Sequence, residues 1–580
     1  MASSRENTSE NFQLGQFAVD EYRPIKVVCI GAGFCGILAA IRFAQKVPNI
    51  ELTVYEKEKG IGGTWFVNKY PGLACDIPSH SYQYSFETNV HWSGFYASGP
   101  EILAYLNRVV EKYKLMRHIK LQHELTQASW DEVTGKWNLK IRRDDGDRDA
   151  AEIEDTADLL FLGVGILHRW SWPDIPGLGD FRGRVLHSAQ WDVTEEGGWE
   201  EGVKDWGDKA VGIIGNGSSG IQLVTALQPK VKSIVNYARS KTWIGEPFSV
   251  LTMLELAGRE PGSNDYLYSE KDREAFRDEK YYKEFRHKIE ADLNSVAQTT
   301  IRGSGLQKLV GELFKGEMKR RLAARPDLLE KIVPQFAVCC RRLTPGPGYL
   351  EALCTENTTL QTTPIARVTP TGIELEDGSA EHLDVLICAT GFDVSYRFPF
   401  PVLGRDGLAL NARWAATKGA EAYLSVAVDG FPNLFFGGGP NSAVNSGSLL
   451  AIFECQVEYA VSVGLKLQRE RLKSIEVKRV AVDDWRAYME TVYTDPCRSW
   501  YKNAEGRVIA LWPGSCLHAA RTLTHPRWED YEYEYLDGPK NRLAWLGDGQ
   551  TYNEKVGQGD LAWYLDEKEL DYPPGKCRRF

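Results

Sequence analysis

Two glycine patterns carry the first chemistry in this sequence. Gly31-x-Gly33-x-x-Gly36 follows the run IKVVCI and opens the Ala-rich stretch FCGILAAIRFAQ, and Gly215-x-Gly217-x-x-Gly220 follows KAVGII and opens SSGIQLVTALQ. Between a strand and a helix, such glycines allow a tight turn and a close approach of the backbone to a pyrophosphate. The free N–H groups of the helix start, here at Ser218 in the second pattern, then point at the phosphates. Each pattern outlines a dinucleotide site; the plain alternative is a glycine turn that only packs a helix. The residue after the following strand separates the two. Glu56 stands twenty residues after Gly36, where a carboxylate accepts hydrogen bonds from ribose hydroxyls. Arg239 stands nineteen residues after Gly220, with Lys241 close behind. An acid there would repel a 2′-phosphate, whereas a guanidinium pairs with it, so the second site favours NADPH over NADH. The plain alternative is a solvated arginine after a strand.

Two dinucleotide sites in one chain suit an enzyme that passes hydride from a nicotinamide to a flavin. The first site, with its acid, is therefore assigned FAD. Gly62-Gly63-Thr64-Trp65 lies just after the second strand, where flavin reductases often carry a Gly-Gly-Thr turn near the isoalloxazine. A dithiol mechanism needs two neighbouring sulfurs, and the nearest cysteine here is Cys75, alone.

The elements that must position these residues follow from the pattern of the chain. Its 580 residues suggest two to four domains at roughly 100–200 residues each. The composition, 26% charged and 43% hydrophobic, is that of a globular protein. The net charge of −10 argues against a nucleic-acid protein. No apolar run is long enough for a membrane span, and the polar N-terminus resembles neither a signal nor a transit peptide, so the cytoplasm is expected. Eleven cysteines, an odd number with several inside apolar runs, fit a reducing compartment rather than a disulfide framework. No metal site is indicated.

The expected fold class is α/β, with two Rossmann-like dinucleotide-binding domains for FAD and NADPH and a helical insertion. Each domain is expected to be a parallel sheet with helices on both faces. The expected boundaries are a flexible arm at 1–22, a first FAD-binding part at 23–165 and a first NADPH-binding part at 166–250. Residues 251–333, dense in Lys, Arg and Glu with apolar residues at helical spacing, form the insertion. NADPH-binding residues 334–388 and FAD-binding residues 389–580, with a C-terminal extension, complete the chain. IKLQHEL and KWNLKIR read as short strands, and DDGDRD as a turn.

Between the glycine patterns lies Phe181-x-Gly183-x-x-x-His187-x-x-x-Trp191-Asp192. This resembles the signature of type I (class B) flavin-dependent Baeyer–Villiger monooxygenases, in which it also precedes the second glycine turn. The related N- and S-oxidising enzymes usually have Phe or Tyr in place of Trp191. The resemblance runs from Val27 to about Trp500, and the tail is similar to those of fungal members acting in secondary metabolism. Tyr70-Pro71-Gly72-Leu-Ala-Cys-Asp76 resembles a family segment whose Asp lies beside flavin and nicotinamide; many members have Arg where this chain has Ala74. Cys340-Arg341-Arg342 matches a stretch that places Arg341 with Arg239 at the 2′-phosphate and Arg342 over the flavin. Ala389-Thr390-Gly391-Phe392-Asp393 resembles the strand end that returns the chain to the FAD domain. Ser499-Trp500 resembles a pair on a mobile loop that folds over the nicotinamide.

The resemblance implies an FAD-containing, NADPH- and O2-dependent monooxygenase that inserts oxygen beside a ketone carbonyl, giving an ester or lactone. It would act through a C4a-peroxyflavin kept anionic by Arg342, with Asp76 setting that arginine's position. The partners implied are O2 and a small-molecule ketone, a bulky secondary metabolite. His187 is assigned control of domain movement or cofactor positioning, beside the reading of a structural histidine. For Asp76 and Arg342 the plain alternative is a structural ion pair between domains. The rival functions are N- or S-oxidation, an uncoupled NADPH oxidase, and a cofactor-binding protein without turnover. Hydrolase readings lack residues: no HExxH occurs, and GNGSSG is a phosphate turn. Replacing Arg239 by Ala should raise KM for NADPH much more than KM for NADH in steady-state assays; equal effects would place phosphate recognition elsewhere.

Overall fold

Two parallel sheets are built around the two glycine patterns. In the first, Ile25–Ile30 is the middle strand, with Ile50–Tyr55 and Ile119–Lys120 on one side and Leu159–Leu162 and Leu434–Phe436 on the other. In the second, Ala210–Ile214 is the middle strand, with Ser233–Tyr237 and Thr358–Gln361 on one side and Val385–Cys388 and Arg184–His187 on the other. Runs of Val and Ile suit strands covered on both faces. Strand order reverses at each middle strand, and the crevice beyond its carboxyl end is where an open α/β sheet binds ligands. The computed structural model describes residues 14–144, 152–193, 197–245, 248–260, 266–492, 499–536 and 542–565. Residues 1–13 of the expected arm, the expected DDGDRD turn beyond Asp144 and the last fifteen residues lie outside that set.

The longer helices lie on one face of each sheet and an antiparallel meander takes most of the other, joined on the first sheet by the short helix Leu410–Ala416, whose Trp414 ring lies 6.2 Å from that of Phe436; this amends the expectation of helices on both faces. On the first sheet, helices Phe34–Lys46 and Leu449–Arg469 cover one side. The other side is covered by His123–Asp131, Lys136–Arg143 and Glu152–Ala157, an antiparallel meander whose Trp130, Trp137, Leu139 and Ile141 pack on Val28, Ile30, Leu160 and Leu162. On the second sheet, the meander Ile365–Thr369, Gly372–Leu375 and Ala380–His382 sets Val368, Ile373 and Leu375 against Ile214, Tyr237 and Leu386. Alternating apolar residues give a meander one apolar face, which is enough to cover a sheet.

The segment between the strands Ser233–Tyr237 and Thr358–Gln361 is largely helical, and its two long helices serve different sheets. Asp278 caps Glu279–Ser295 by accepting from the Tyr281 N–H at 2.7 Å, and Ser304 caps Gly305–Arg321 by accepting from Gln307 at 3.0 Å. The first of these packs beside the first sheet. There His80 lies among Tyr268, Phe276 and Phe285, with its Nδ1 2.8 Å from the Tyr282 hydroxyl. Burial pushes this imidazole down to about 3, so it is neutral. The second helix packs on the second sheet's side, with Phe314 against Gly245 and Arg321 donating to the Gly346 carbonyl at 2.8 Å. The helical segment therefore straps both halves together.

The described part of the N-terminal arm is not free. Ala18 is buried, the Asp548 N–H donates to the Phe17 carbonyl at 2.9 Å, and the Val19 N–H donates to Gln550 at 3.0 Å. Leu472–Val477 and Tyr531–Tyr535 pair antiparallel, which ties in part of the C-terminal extension. No described helix is long and apolar enough to cross a membrane.

One buried ion cluster anchors the C-terminal third. The Glu421 carboxylate is 3% exposed and meets Arg486 at 2.6 Å, Arg507 at 2.8 Å and Arg413 at 3.0 Å. Burial works to raise this carboxyl, but the arginines outweigh it and hold it below the ordinary 4.5. Its stabilisation is complete above that ordinary value and is lost as the pH falls through the lower folded value. Glu421→Gln should cost about 3 kcal/mol near neutrality, read by urea unfolding. The gap from the natural chain should narrow as the pH drops below 4.5; a constant gap would mean that charge is not what the cluster contributes.

Candidate active site

The first glycine loop is packed against itself and against the Gly62-Gly63 turn. Gly31 has φ +98° and donates to the Tyr55 carbonyl at 2.7 Å. A Cβ on Gly36 would stand 1.7 Å from the Gly31 oxygen, and one on Gly63 would stand 3.1 Å from the Gly33 Cα. These residues therefore present bare backbone beyond the strand Ile25–Ile30. Glu56, 5% exposed, accepts from the Ala32 N–H at 2.7 Å and the Glu58 N–H at 2.9 Å. Burial pushes its carboxyl up, and the two N–H groups act against that rise. Thr64 opens the short helix Thr64–Val67, and Trp65 is buried edge-on to Tyr82 at 5.3 Å. Beyond the neighbouring strand ends, Gly165, His168, Arg169, Gly437, Gly438 and Gly439 line a small cavity. Bare backbone with a buried carboxylate beside it fits a dinucleotide, and these residues could hold one.

The second loop repeats the architecture with the opposite charge. Gly215 has φ +119°, and a Cβ on it would lie 2.3 Å from the Ala389 oxygen; one on Gly220 would lie 2.3 Å from the Gly215 oxygen. Gly217 faces open space. The Ser218 hydroxyl at the helix start lies 3.1 Å from that of Thr344. Arg239 is exposed just past the strand Ser233–Tyr237. Arg341 comes up beside it, donating to Ser240 Oγ at 2.9 Å and resting 4.9 Å over the Phe336 ring. Burial and then the charge of Arg239 lower the pKa of Arg341, as expected of two cations sharing one space. An anion between them would relieve that repulsion, and a 2′-phosphate has the charge and the oxygens to do so.

Asp76 and Arg342 meet where the two halves touch. Gly72, at φ +77°, lets the Tyr70–Asp76 segment lie against the helix Ser218–Leu227, since a Cβ there would stand 2.8 Å from the Gln222 carbonyl oxygen. The Tyr70 hydroxyl donates to Gln222 Oε1 at 2.8 Å, and Gln222 Nε2 donates to the Ala74 carbonyl at 3.0 Å. Asp76 then takes Arg342 bidentately, Nε to Oδ2 and Nη2 to Oδ1, both at 2.8 Å. Burial alone would lower the Arg342 pKa; Asp76 outweighs it and drives the pKa above the ordinary value. The guanidinium is permanently charged. Ala74 lines a cleft with Gly72, Asp76, Gln222 and Pro345.

Sequence reasoning missed the residues that close this corner. Arg342 Nη1 donates to the Val444 carbonyl at 3.3 Å, Asn445 Nδ2 donates to the Cys339 carbonyl at 3.0 Å, and the buried Tyr501 hydroxyl donates to Asn445 Oδ1. Trp500, singled out from the sequence, is 37% exposed with its ring 4.4 Å from that of Tyr501. The available signals were the Asn-rich run PNSAVNS after three glycines and the adjacency of Tyr501 to Trp500.

The signature residues gather at the chain crossings between the sheets. Phe181 is buried under the second meander, and a Cβ on Gly183 would stand 2.3 Å from the Asp384 oxygen. His187 ends its strand stacked 4.2 Å from Trp170, accepts the Ala189 N–H at Nδ1 at 3.1 Å, and has Nε2 3.2 Å from the Thr390 hydroxyl. The backbone donor at Nδ1 puts the proton of the neutral ring on Nε2. Burial pushes the imidazole down to about 4, so it stays neutral at physiological pH. Trp191 is buried 6.1 Å from Trp206, and Asp192 lies exposed 3.4 Å from Arg184. Among the described residues no cluster of three or more potential metal ligands is found.

Because each partner of the Asp76–Arg342 pair leaves the other half-buried without its counter-ion, Asp76→Asn and Arg342→Met should be non-additive. A coupling of about 1–3 kcal/mol is expected in urea unfolding; additive losses would show that the pair does not fasten the halves.

The comparisons with known proteins bear on the family and the fold. Residues 29–98 match the model of the NAD(P)-binding Rossmann-like domain. The chain is 39% identical over 555 residues to the FAD-binding monooxygenase tazF of Aspergillus terreus, covering 94% of this chain and 95% of that protein. It is 34% identical over 505 residues to a Baeyer–Villiger monooxygenase of Pseudomonas aeruginosa, covering 85% and 88%. The fold is similar to cyclohexanone monooxygenase from Rhodococcus sp. Phi1 bound to NADP+, with a TM-score of 0.73 at 25% identity over 88% of this chain and 100% of that one. Relatives at 39% and 34% identity that cover most of both chains, together with the shared fold, establish that the chain belongs to the flavin-dependent Baeyer–Villiger monooxygenases.

Proposed function

We propose that this oxidoreductase uses FAD, NADPH and O2 to insert one oxygen beside the carbonyl of a bulky ketone, a secondary metabolite, giving an ester or lactone. In balance, ketone, O2, NADPH and a proton yield ester, NADP+ and water. The observation that carries the reading is the Arg342 guanidinium, held by Asp76 at 2.8 Å where the two glycine-loop units meet. Residues 23–165 and 389–580 would hold FAD, and residues 166–250 and 334–388 NADPH.

Bound FAD, once reduced by NADPH, supplies the activated oxygen. The chain's own groups do the rest. Gly31, Gly33, Gly36 and Gly63 admit the FAD pyrophosphate to bare backbone, and Glu56 takes its ribose. Thr64 and Trp65 lie next along the same turn. Gly215, Gly217, Ser218 and Gly220 receive the NADPH pyrophosphate at a helix start, while Arg239 and Arg341 take the 2′-phosphate. Arg342 cannot give up its proton, so it favours the anionic over the protonated form of an oxygen nucleophile beside it. It then stabilises the negative charge that develops on the carbonyl oxygen as the nucleophile adds. Asp76 fixes the guanidinium plane through its two bonds, so the charge is aimed before the substrate arrives. His187, neutral and stacked at the crossings, holds those strands in register rather than exchanging a proton. Trp500 would shield the bound nicotinamide from solvent.

The test uses purified protein with NADPH, ¹⁸O2 and a panel of cyclic and aromatic ketones. A lactone or ester with one heavy oxygen is expected. NADPH oxidised wholly to H2O2, or oxygen found only on amines and sulfides, would overturn the reading. Arg342→Ala should still bleach FAD with NADPH while ketone oxygenation falls by about 10²-fold or more; full lactone formation by that variant would remove Arg342 from the chemistry.

A further inference from the structure

The C-terminal segment beside Arg342 is a small hairpin with two anchors. Lys502 and Val508 form an antiparallel bridge, the Ile509 N–H donates to the Tyr501 carbonyl at 2.9 Å, and the Asn503 N–H donates to Arg507 at 3.0 Å. The strand leaving the hairpin lies along residues 441–443, where Asn441 N–H meets the Ile509 carbonyl at 2.8 Å and Trp512 N–H the Ala443 carbonyl at 2.7 Å. At its outer end, Arg507 binds Glu421 at 2.8 Å and the Thr417 carbonyl at 2.6 Å. At its inner end, Tyr501 is 2% exposed and its hydroxyl donates to Asn445. Asn445 is the residue after Val444, whose carbonyl takes Arg342 Nη1 at 3.3 Å, and it also binds the Cys339 carbonyl, three residues before that arginine. Burial raises the Tyr501 phenol pKa, and the charge of Arg342 acts against that rise.

We infer that Tyr501 is a positioning residue for the reaction, which through Asn445 and the Val444 carbonyl holds the side of Arg342 turned away from Asp76, so that the guanidinium is fully aimed only while the hairpin is seated. Asp76 fixes Nε and Nη2; Nη1 depends on backbone that the hairpin braces. The seating of the segment that carries Trp500 and the aim of the charge are then one event. A protein whose hairpin has lifted would still take hydride but would lose its grip on the oxygen nucleophile. This rests on the ketone-oxygenating reading above.

Two measurements on the full-length FAD-loaded protein test it, one of them independent of activity. In hydrogen exchange, Tyr501→Phe and Arg342→Lys should each speed exchange at the Asn503 and Ile509 amides by about tenfold, the worth of one hydrogen bond of about 1.4 kcal/mol, and the double variant should go no further. Unchanged exchange in Arg342→Lys, or additive effects in the double variant, would overturn the coupling. In stopped flow, Tyr501→Phe should be reduced by NADPH within about twofold of the natural rate, while the share of NADPH spent on H2O2 in the presence of a ketone rises about fivefold or more. A variant with unchanged H2O2 share would overturn the positioning role. If the natural protein oxygenates no ketone, the functional reading fails by itself and the exchange result still decides whether Tyr501 and Arg342 are coupled.

Discussion

The carboxylate of Asp76 and the guanidinium of Arg342 come from positions 266 residues apart, one on the loop after the early strands of the first sheet and the other between the helical segment and the later strands of the second sheet. Each is too costly to bury alone, and each becomes tolerable only when the two halves bring them face to face. This makes their meeting a constraint on everything around it. Gly72 must lack a side chain so that its segment can lie against the helix Ser218–Leu227, and Gln222 must bridge Tyr70 and the Ala74 carbonyl to hold that contact. The helices Glu279–Ser295 and Gly305–Arg321 strap the same two halves from the side, one on each. A pair that is half-buried at a seam needs the seam to be stiff.

The parts of this fold that were legible in the sequence are those whose causes are local. A glycine turn between an apolar strand and a helix announces itself within about twenty residues, because sterics and a phosphate dictate its spacing. The charge reversal from Glu56 to Arg239 is legible for the same reason. What covers each sheet was not. An alternating strand such as Lys136–Arg143 shows that it has one apolar face but not which surface that face meets, and the expectation of helices on both sides missed the two meanders. Helical spacing likewise marked the insertion without revealing that its long helices attach to different halves.

The site was legible to the same degree. Arg341 and Arg342 stood out through resemblance, and they come to lie beside Ser240 and Asp76. Tyr501 and Asn445 did not stand out, since an Asn in a glycine-rich loop and a Tyr beside a Trp have no spacing rule that ties them to an arginine more than a hundred residues earlier. The signature around His187 is instructive in another way. Its most recognisable residues gather where the strand returning through Thr390 passes Trp170, and His187 itself is neutral and stacked. A motif can identify a family through the joints of its fold rather than through its reacting groups.

The first sheet takes its strand Leu434–Phe436 and its covering helix Leu449–Arg469 from far down the chain, whereas the second sheet is assembled entirely from residues 184–388. On a ribosome these two units therefore mature in the reverse of the order in which they begin. At about 5–20 residues per second, the sheet begun by Ile25–Ile30 waits tens of seconds for its last strand, Leu434–Phe436, while the second sheet can close soon after Cys388 emerges. The nascent chain must keep an apolar first half soluble until its final third arrives, and the later-starting unit is the one that folds first.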